Sequence, residues 1–222
     1  MGKTVIVSCK TLENELTEAV KECGCDYEIH WIESGLHNYP AKLNQVLQET
    51  FDSIEGAERV LLAMGYCGNS IENVRTGDFT LIIPRVDDCI SFLLGSCKNR
   101  IEISRAYGTY FLTEGWLKGE RNIWKEYEYS IQKYGEKTGN EIFKMMLGNY
   151  RTLALLDTGC YSMEKAGAEA ERIAEALKLE YRVLPATLDY IKKLLTGPWT
   201  EEEFLIVQPR SMVQGADLTL PV

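Results

Sequence analysis

The chain has 222 residues, 45% of them hydrophobic, enough to bury one large core or two smaller ones. A net charge of −9 and a pI near 4.9 argue against a nucleic-acid or anionic-membrane footprint. No apolar run approaches the roughly 20 residues that span a bilayer. Met1-Gly2-Lys3-Thr4 leads into a strand-like run without a signal-peptide core, so a cytoplasmic protein is expected.

Apolar periodicity then alternates between strand and helix. Thr4–Ser8 predicts a strand, and Thr11–Cys23 a helix with Leu12, Leu16, Ala19 and Val20 on one face. Tyr27–Ile32 predicts a second strand, and Pro40 opens a helix that turns Leu43, Val46, Leu47 and Phe51 inward. Arg59–Met64 and Phe79–Pro84 are short unbroken apolar runs, the pattern of parallel strands covered on both faces. Asp87 or Asp88 is placed to cap a helix through Ile90, Phe92, Leu93 and Leu94 towards Gly95.

Four further strands are predicted after Gly108, at Thr109–Leu112, Thr152–Leu156, Tyr181–Leu184 and Phe204–Gln208. Between them lie a helical stretch from Gly115 to about Gly148, broken near Gly135–Gly139, and helices at Met163–Leu177 and Leu188–Leu195. The fold class expected is α/β. It has parallel, helix-covered sheets in two similar Rossmann-like lobes, 1–108 and 109–222, with a site between them at the strand carboxyl ends. One continuous doubly wound sheet is the alternative.

Seven cysteines is an odd number, and a reducing compartment favours metal binding or reactivity over disulfides. Cys9, Cys67, Cys89 and Cys160 each fall at or just past the end of a predicted strand. Ligands of open parallel sheets bind at that edge, so thiolates distant in sequence can converge there on one metal. The plainer reading is that each cysteine packs as a small hydrophobe. His37, in the loop after the second strand, lies at the same edge, and an imidazole suits zinc or iron beside thiolates.

Other residues could complete a site. Gly65, Gly68 and Asn69 bracket Cys67 in a turn whose small residues would let backbone N–H groups approach an anion. Arg85 could clamp a carboxylate or phosphate, or pair with Asp87 or Asp88. Asp87, Asp88 and Glu114 are candidate proton carriers, with helix capping or charge compensation as the alternative. Cys23-Gly24-Cys25 closes the first helix at the opposite edge and is excluded. Asp157-Thr158-Gly159 reads as an Asp-based turn.

The segments Ser8-Cys9-Lys10-Thr11-Leu12, Gly35-Leu36-His37-Asn38-Tyr39-Pro40, Gly65-Tyr66-Cys67-Gly68-Asn69 and Pro84-Arg85-Val86-Asp87-Asp88-Cys89 follow one another in the chain. With Leu94-Gly95-Ser96, Gly108-Thr109-Tyr110, Leu112-Thr113 and Gly115-Trp116, they resemble a family known only as domain of unknown function sixteen-thirty-eight, over nearly the whole chain. The resemblance implies motif cysteines at Cys9, Cys67 and Cys89 and a motif histidine at His37, and leaves Cys160 outside the pattern. It also implies a setting in anaerobic bacteria and methanogenic archaea, beside corrinoid-dependent methyltransferases. It carries no reaction.

Three cysteines and a histidine suit a tetrahedral zinc ion, or a four-iron–four-sulfur cluster with one iron left open. The function expected is that of a cytoplasmic metalloprotein binding a small anionic or thiol ligand, in Lewis-acid or methyl-transfer chemistry. The alternative is a non-catalytic accessory protein that handles a metal, or the corrinoid partner of a methyltransferase.

Overall fold

The computed structural model describes residues 2–119 and 122–220. The first elements are β1 (Thr4–Cys9), α1 (Glu13–Glu22), β2 (Glu28–Ile32), α2 (Pro40–Ser53), β3 (Arg59–Ala63), β4 (Thr80–Pro84) and the short α3 (Cys89–Leu93). α4 (Cys97–Tyr107) leads to β5 (Thr109–Leu112), α5 (Glu114–Lys118), α6 (Ile123–Tyr134) and α7 (Glu136–Met146). Then come β6 (Thr152–Asp157), α8 (Met163–Leu177), β7 (Glu180–Pro185), α9 (Asp189–Thr196) and β8 (Phe204–Val207).

The chain is α/β, with two sheets in two compact units. Residues up to Arg100 together with those from Thr187 onward form the first, and Ile101–Ala186 the second. This differs from a single division near residue 108, because α9 and β8 return to the first unit. Nor are the units equal in strands: the first sheet runs β2-β1-β3-β4-β8 and the second β5-β6-β7. All pairings are parallel except that of β8, which lies antiparallel beside β4 with Ile82 opposite Ile206.

In the first unit all six residues of β1 are buried, as an unbroken Thr-Val-Ile-Val-Ser-Cys run at the middle of a parallel sheet requires. α2 buries Leu43, Leu47 and Phe51, each worth about 1.5–3 kcal/mol of apolar burial. α9 packs on β3 and against α1 and α3. α1 ends as its Gly24 implied: Gly24 has a φ of 63°, with Gly24 N–H bonded to Lys21 O at 3.1 Å and Cys25 N–H to Val20 O at 3.0 Å. The last described residues strap across the loop before β4, with Asn73 N–H donating to Val213 O at 2.8 Å and Thr76 N–H to Ser211 O at 2.9 Å.

In the second unit Leu112, Leu153 and Leu155 of the sheet pack with Ile123, Phe143, Ala170 and Ile173. The helical stretch after Gly115 is three helices, of which α6 and α7 meet as a hairpin at Gly135, where φ is 79°. β7 is an edge strand and correspondingly half exposed. Among the described residues, no helix is long and apolar enough to cross a membrane.

Candidate functional site

From β1 the chain passes to β2 on one side of the sheet and then to β3 on the other, which opens a crevice at the carboxyl ends of β1 and β3. Cys9 is the last residue of β1, Cys67 follows β3 by four residues, and Cys89 opens α3 just beyond β4. Three neighbouring strands therefore each deliver one cysteine to one edge. His37 lies on the 3-10 turn Leu36–Asn38 after β2, which is the next strand along.

Backbone bonds extend the β3–β4 pairing into the loops that carry the thiols. Tyr66 N–H donates to Val86 O and Cys67 N–H to Asp87 O, both at 2.9 Å. Gly65 makes this approach possible, since a Cβ there would stand 2.5 Å from Asp88 Cα. Cys67, Gly68 and Asn69 all have positive φ, at 45°, 68° and 65°. For Cys67 and Asn69 this conformation is strained. Asn44 of α2 holds the far side of the turn, donating to Ser70 O and Glu72 O at 2.8 Å each. A Cβ on Gly68 would sit 3.4 Å from Pro40, so the Cys67 turn lies beside the segment that follows His37. Gly65 and Gly68 thus serve backbone proximity and turn geometry.

The thiols interact. Cys9 and Cys89 are buried, whereas Cys67 is half exposed. The hydrogen bond with Cys89, then burial, push the Cys9 thiol well above its ordinary value, against a 2.9 Å contact with Thr11 Oγ1. The Cys89 thiol is likewise pushed well up, first by its hydrogen bond with Cys67, while Cys9 works in the other direction. Cys89 is therefore the thiol whose protonation both Cys9 and Cys67 influence. Among the described residues, no three His, Cys, Asp or Glu side chains stand in a metal-holding arrangement, and His37 does not join the thiols in one.

The acidic pair beside them divides its roles. Asp88 caps α3, accepting Ser91 N–H at 2.7 Å. Burial, and next the charge of Asp87, raise its carboxyl. Asp87 is ion-paired with Arg100 and accepts Ser91 Oγ–H, and its Oδ1 lies 3.3 Å from the Cys97 sulfur. Burial pushes its carboxyl up, but the hydrogen bonds from Arg100 and Ser91 overcome this and hold it below the usual range. Burial in the same network pushes the Cys97 thiol up to about 11.

Two candidates take other roles. Arg85 is neither a free clamp nor the partner of Asp87 or Asp88. It donates to the carbonyls of Glu201 (2.8 Å), Asp217 (2.9 Å) and Thr219 (3.0 Å), and so pins the C-terminal segment. Glu114 is in the second unit, at the first residue of α5, where it pairs with Lys118 at 2.7 Å. Cys160 is also in that unit, in the turn after β6. There Gly159 N–H bonds Asp157 Oδ1 at 3.1 Å, the Asp-based turn expected. Sequence reasoning missed Thr11, Ser91, Cys97 and Arg100. The Gly95-Ser96 pair was the available signal, because Ser96 Oγ accepts Asn99 N–H at 3.1 Å at the start of the helix that carries Arg100.

The chain is thus an α/β protein whose larger sheet carries three cysteines along the carboxyl edge of its neighbouring strands. The chain belongs to the family described as Protein of unknown function (DUF1638), which it matches over residues 31–195. The matched span contains His37, Cys67 and Cys89 but begins after Cys9, so the Ser8–Leu12 segment lies outside it. No curated protein and no solved structure matches the chain.

Proposed function

We propose that the protein is a metalloprotein in which Cys9, Cys67 and Cys89 hold a zinc ion, with His37 or an incoming ligand at the fourth position. The observation that supports this is the delivery of one cysteine from each of three adjacent strands, with the Cys89 thiol interacting with both others. The donor set fits. Three thiols suit zinc or an iron–sulfur cluster, and the crowding that keeps Cys9 and Cys89 protonated is relieved when a cation replaces the protons. Zinc is the simpler of the two, since it needs only the three thiolates and one further ligand.

Bound zinc would supply a Lewis acid that lowers the pKa of a coordinated thiol or water. The protein's own groups then divide the remaining work. Asp88, next to Cys89, has a carboxyl raised by burial, which makes it the better proton carrier of the acidic pair. Asp87 stays ionised under Arg100 and holds the turn in place. Glu114 has no part in this reading. The ligand class is a small thiol or anion. The setting we infer is cytoplasmic anaerobic one-carbon metabolism, with corrinoid methyl transfer as its chemistry. That setting rests on the family resemblance alone.

Anaerobic purification followed by metal analysis and a visible spectrum tests the site. About one zinc per chain and no colour is expected, since three thiolates with one further position complete a tetrahedral site. Cys9→Ser, Cys67→Ser and Cys89→Ser should each lose the metal, while Cys23→Ser and Cys25→Ser keep it. A brown protein with iron and sulfide would replace zinc by a cluster. Equal metal content in all five variants would overturn the site. Turnover of methyl donors with a thiol acceptor separates an enzyme from an accessory protein.

A further inference from the structure

The second unit holds a half-open pocket of about 420 Å³, within the range of small-ligand sites. One wall is the α6–α7 hairpin, which presents Tyr127, Phe143 and Leu147; the other is the end of α8. Phe143 and Leu147 are buried, and the Tyr127 ring stands edge-on to Phe143 at 5.2 Å. The Tyr127 hydroxyl donates to Asn140 at 2.7 Å, which fixes the ring as a flat side of the pocket. The interior therefore suits an aromatic or large aliphatic group.

The rim carries both signs of charge, unpaired. Glu141 and Lys144 lie one turn apart on α7, where an i,i+3 ion pair would be ordinary. Neither forms an ion pair among the described residues, and nor does Lys178 at the end of α8. Lys144 and Lys178 also sit at helix C-termini, where a cation offsets the dipole. Dipole compensation accounts for a lysine at each end. It accounts neither for the aromatic cavity between them nor for an unpaired carboxylate in the same rim. At the end of α8 the carbonyls of Glu175 and Ala174 are taken by Lys178 N–H at 3.1 Å and Leu179 N–H at 2.9 Å, which leaves Glu141 as the anionic group of the lining.

We propose that this pocket binds an aromatic or large apolar α-amino acid as its zwitterion. Lys144 and Lys178 hold the carboxylate, Glu141 holds the ammonium group, and the side chain fills the space against Tyr127, Phe143 and Leu147. The chemistry satisfies all three unpaired charges at once, which neither a simple anion nor a simple cation would do. It owes nothing to the thiol cluster and stands or falls separately from the metal reading.

Titration calorimetry and saturation-transfer NMR with L-tryptophan and L-phenylalanine test it on the full chain. Saturable binding of one molecule per chain is expected. N-acetylphenylalanine and phenylalanine amide, each lacking one charge, should bind about tenfold more weakly, a loss of about 1.4 kcal/mol each. Glu141→Gln should weaken the amino acid by a similar factor and leave the N-acetyl compound unchanged. The Lys144→Ala/Lys178→Ala pair should weaken both. Ala176→Trp, at a half-buried lining position, should abolish binding, and the rim variants carry the test if that variant does not fold. Absence of saturable binding overturns the proposal, as does binding unchanged by the rim variants, or equal binding of the amino acid and both derivatives.

Discussion

Replacing Gly65 by alanine should both destabilise the first unit and disturb the thiol edge. The added Cβ would meet Asp88 Cα, C and N at 2.5–2.6 Å, all of them backbone atoms that cannot rotate away. Comfortable carbon contacts begin near 3.5 Å, so the two segments must part by about 1 Å. Overpacking of this kind costs about 1–3 kcal/mol. Weakening the Tyr66–Val86 and Cys67–Asp87 hydrogen bonds adds about 1 kcal/mol for each one lost. A total near 3 kcal/mol corresponds to a fall in melting temperature of roughly 6–12 °C for a chain of this size. Circular dichroism melts should show it, and metal content should fall with it, because the displaced backbone carries Cys67 on one side and Cys89 on the other. Gly24→Ala is the control: nothing lies within 4 Å of its Cβ, so the cost is that of its positive φ alone, about 1 kcal/mol, and metal content stays unchanged. Equal melting temperatures for wild type and Gly65→Ala would refute the close approach of these two loops.

Arg100→Ala leaves the half-buried Asp87 carboxylate without its cation and should destabilise the chain by about 1–3 kcal/mol at pH 7. Because the folded state holds Asp87 below its ordinary value, its contribution is present above about pH 4 and is lost as pH falls through the folded pKa. The variant's deficit should therefore shrink in urea titrations run at pH 3, and a constant deficit across pH would exclude the ion pair as its origin. Asp88 has the opposite sign. Its raised carboxyl favours the folded state most at low pH, so Asp88→Asn, which keeps a capping oxygen, should gain relative to wild type as pH rises. Alkylation of metal-stripped protein at pH 8, read by mass spectrometry, should modify half-exposed Cys67 well before Cys9 and Cys89, whose thiols are buried and raised. Equal labelling of the three would show that the edge is open rather than packed.

The strands of both units were legible in the sequence because unbroken apolar runs such as Thr4–Ser8 and Arg59–Met64 have only one comfortable home, inside a covered parallel sheet. Where a run goes was less legible. Phe204–Val207 looks the same whether it extends the second sheet or returns to the first, and only pairing with β4 decides. α4 was missed because a single residue of it, Cys97, is buried, so no apolar stripe announces it. Missing that helix hid Arg100 and left the nearer Arg85 as one candidate partner for Asp87 or Asp88, whereas its partners are carbonyls at positions 201, 217 and 219. The positions of Cys9, Cys67 and Cys89 were read from strand ends alone. That their thiols interact depends on the strand order β1-β3-β4, which no local pattern encodes.

The return of α9 and β8 to the first unit has a consequence for synthesis. The second unit lies inside the first in sequence, so β4 emerges from the ribosome long before its neighbour β8. At about 5–20 residues per second, the intervening stretch takes on the order of ten seconds to translate. Throughout that interval the apolar Thr80–Pro84 segment has an unpaired edge, a template for wrong partners. The thiols of that edge all emerge early, with Cys89, but the sheet that carries them is completed only late in translation, when β8 arrives.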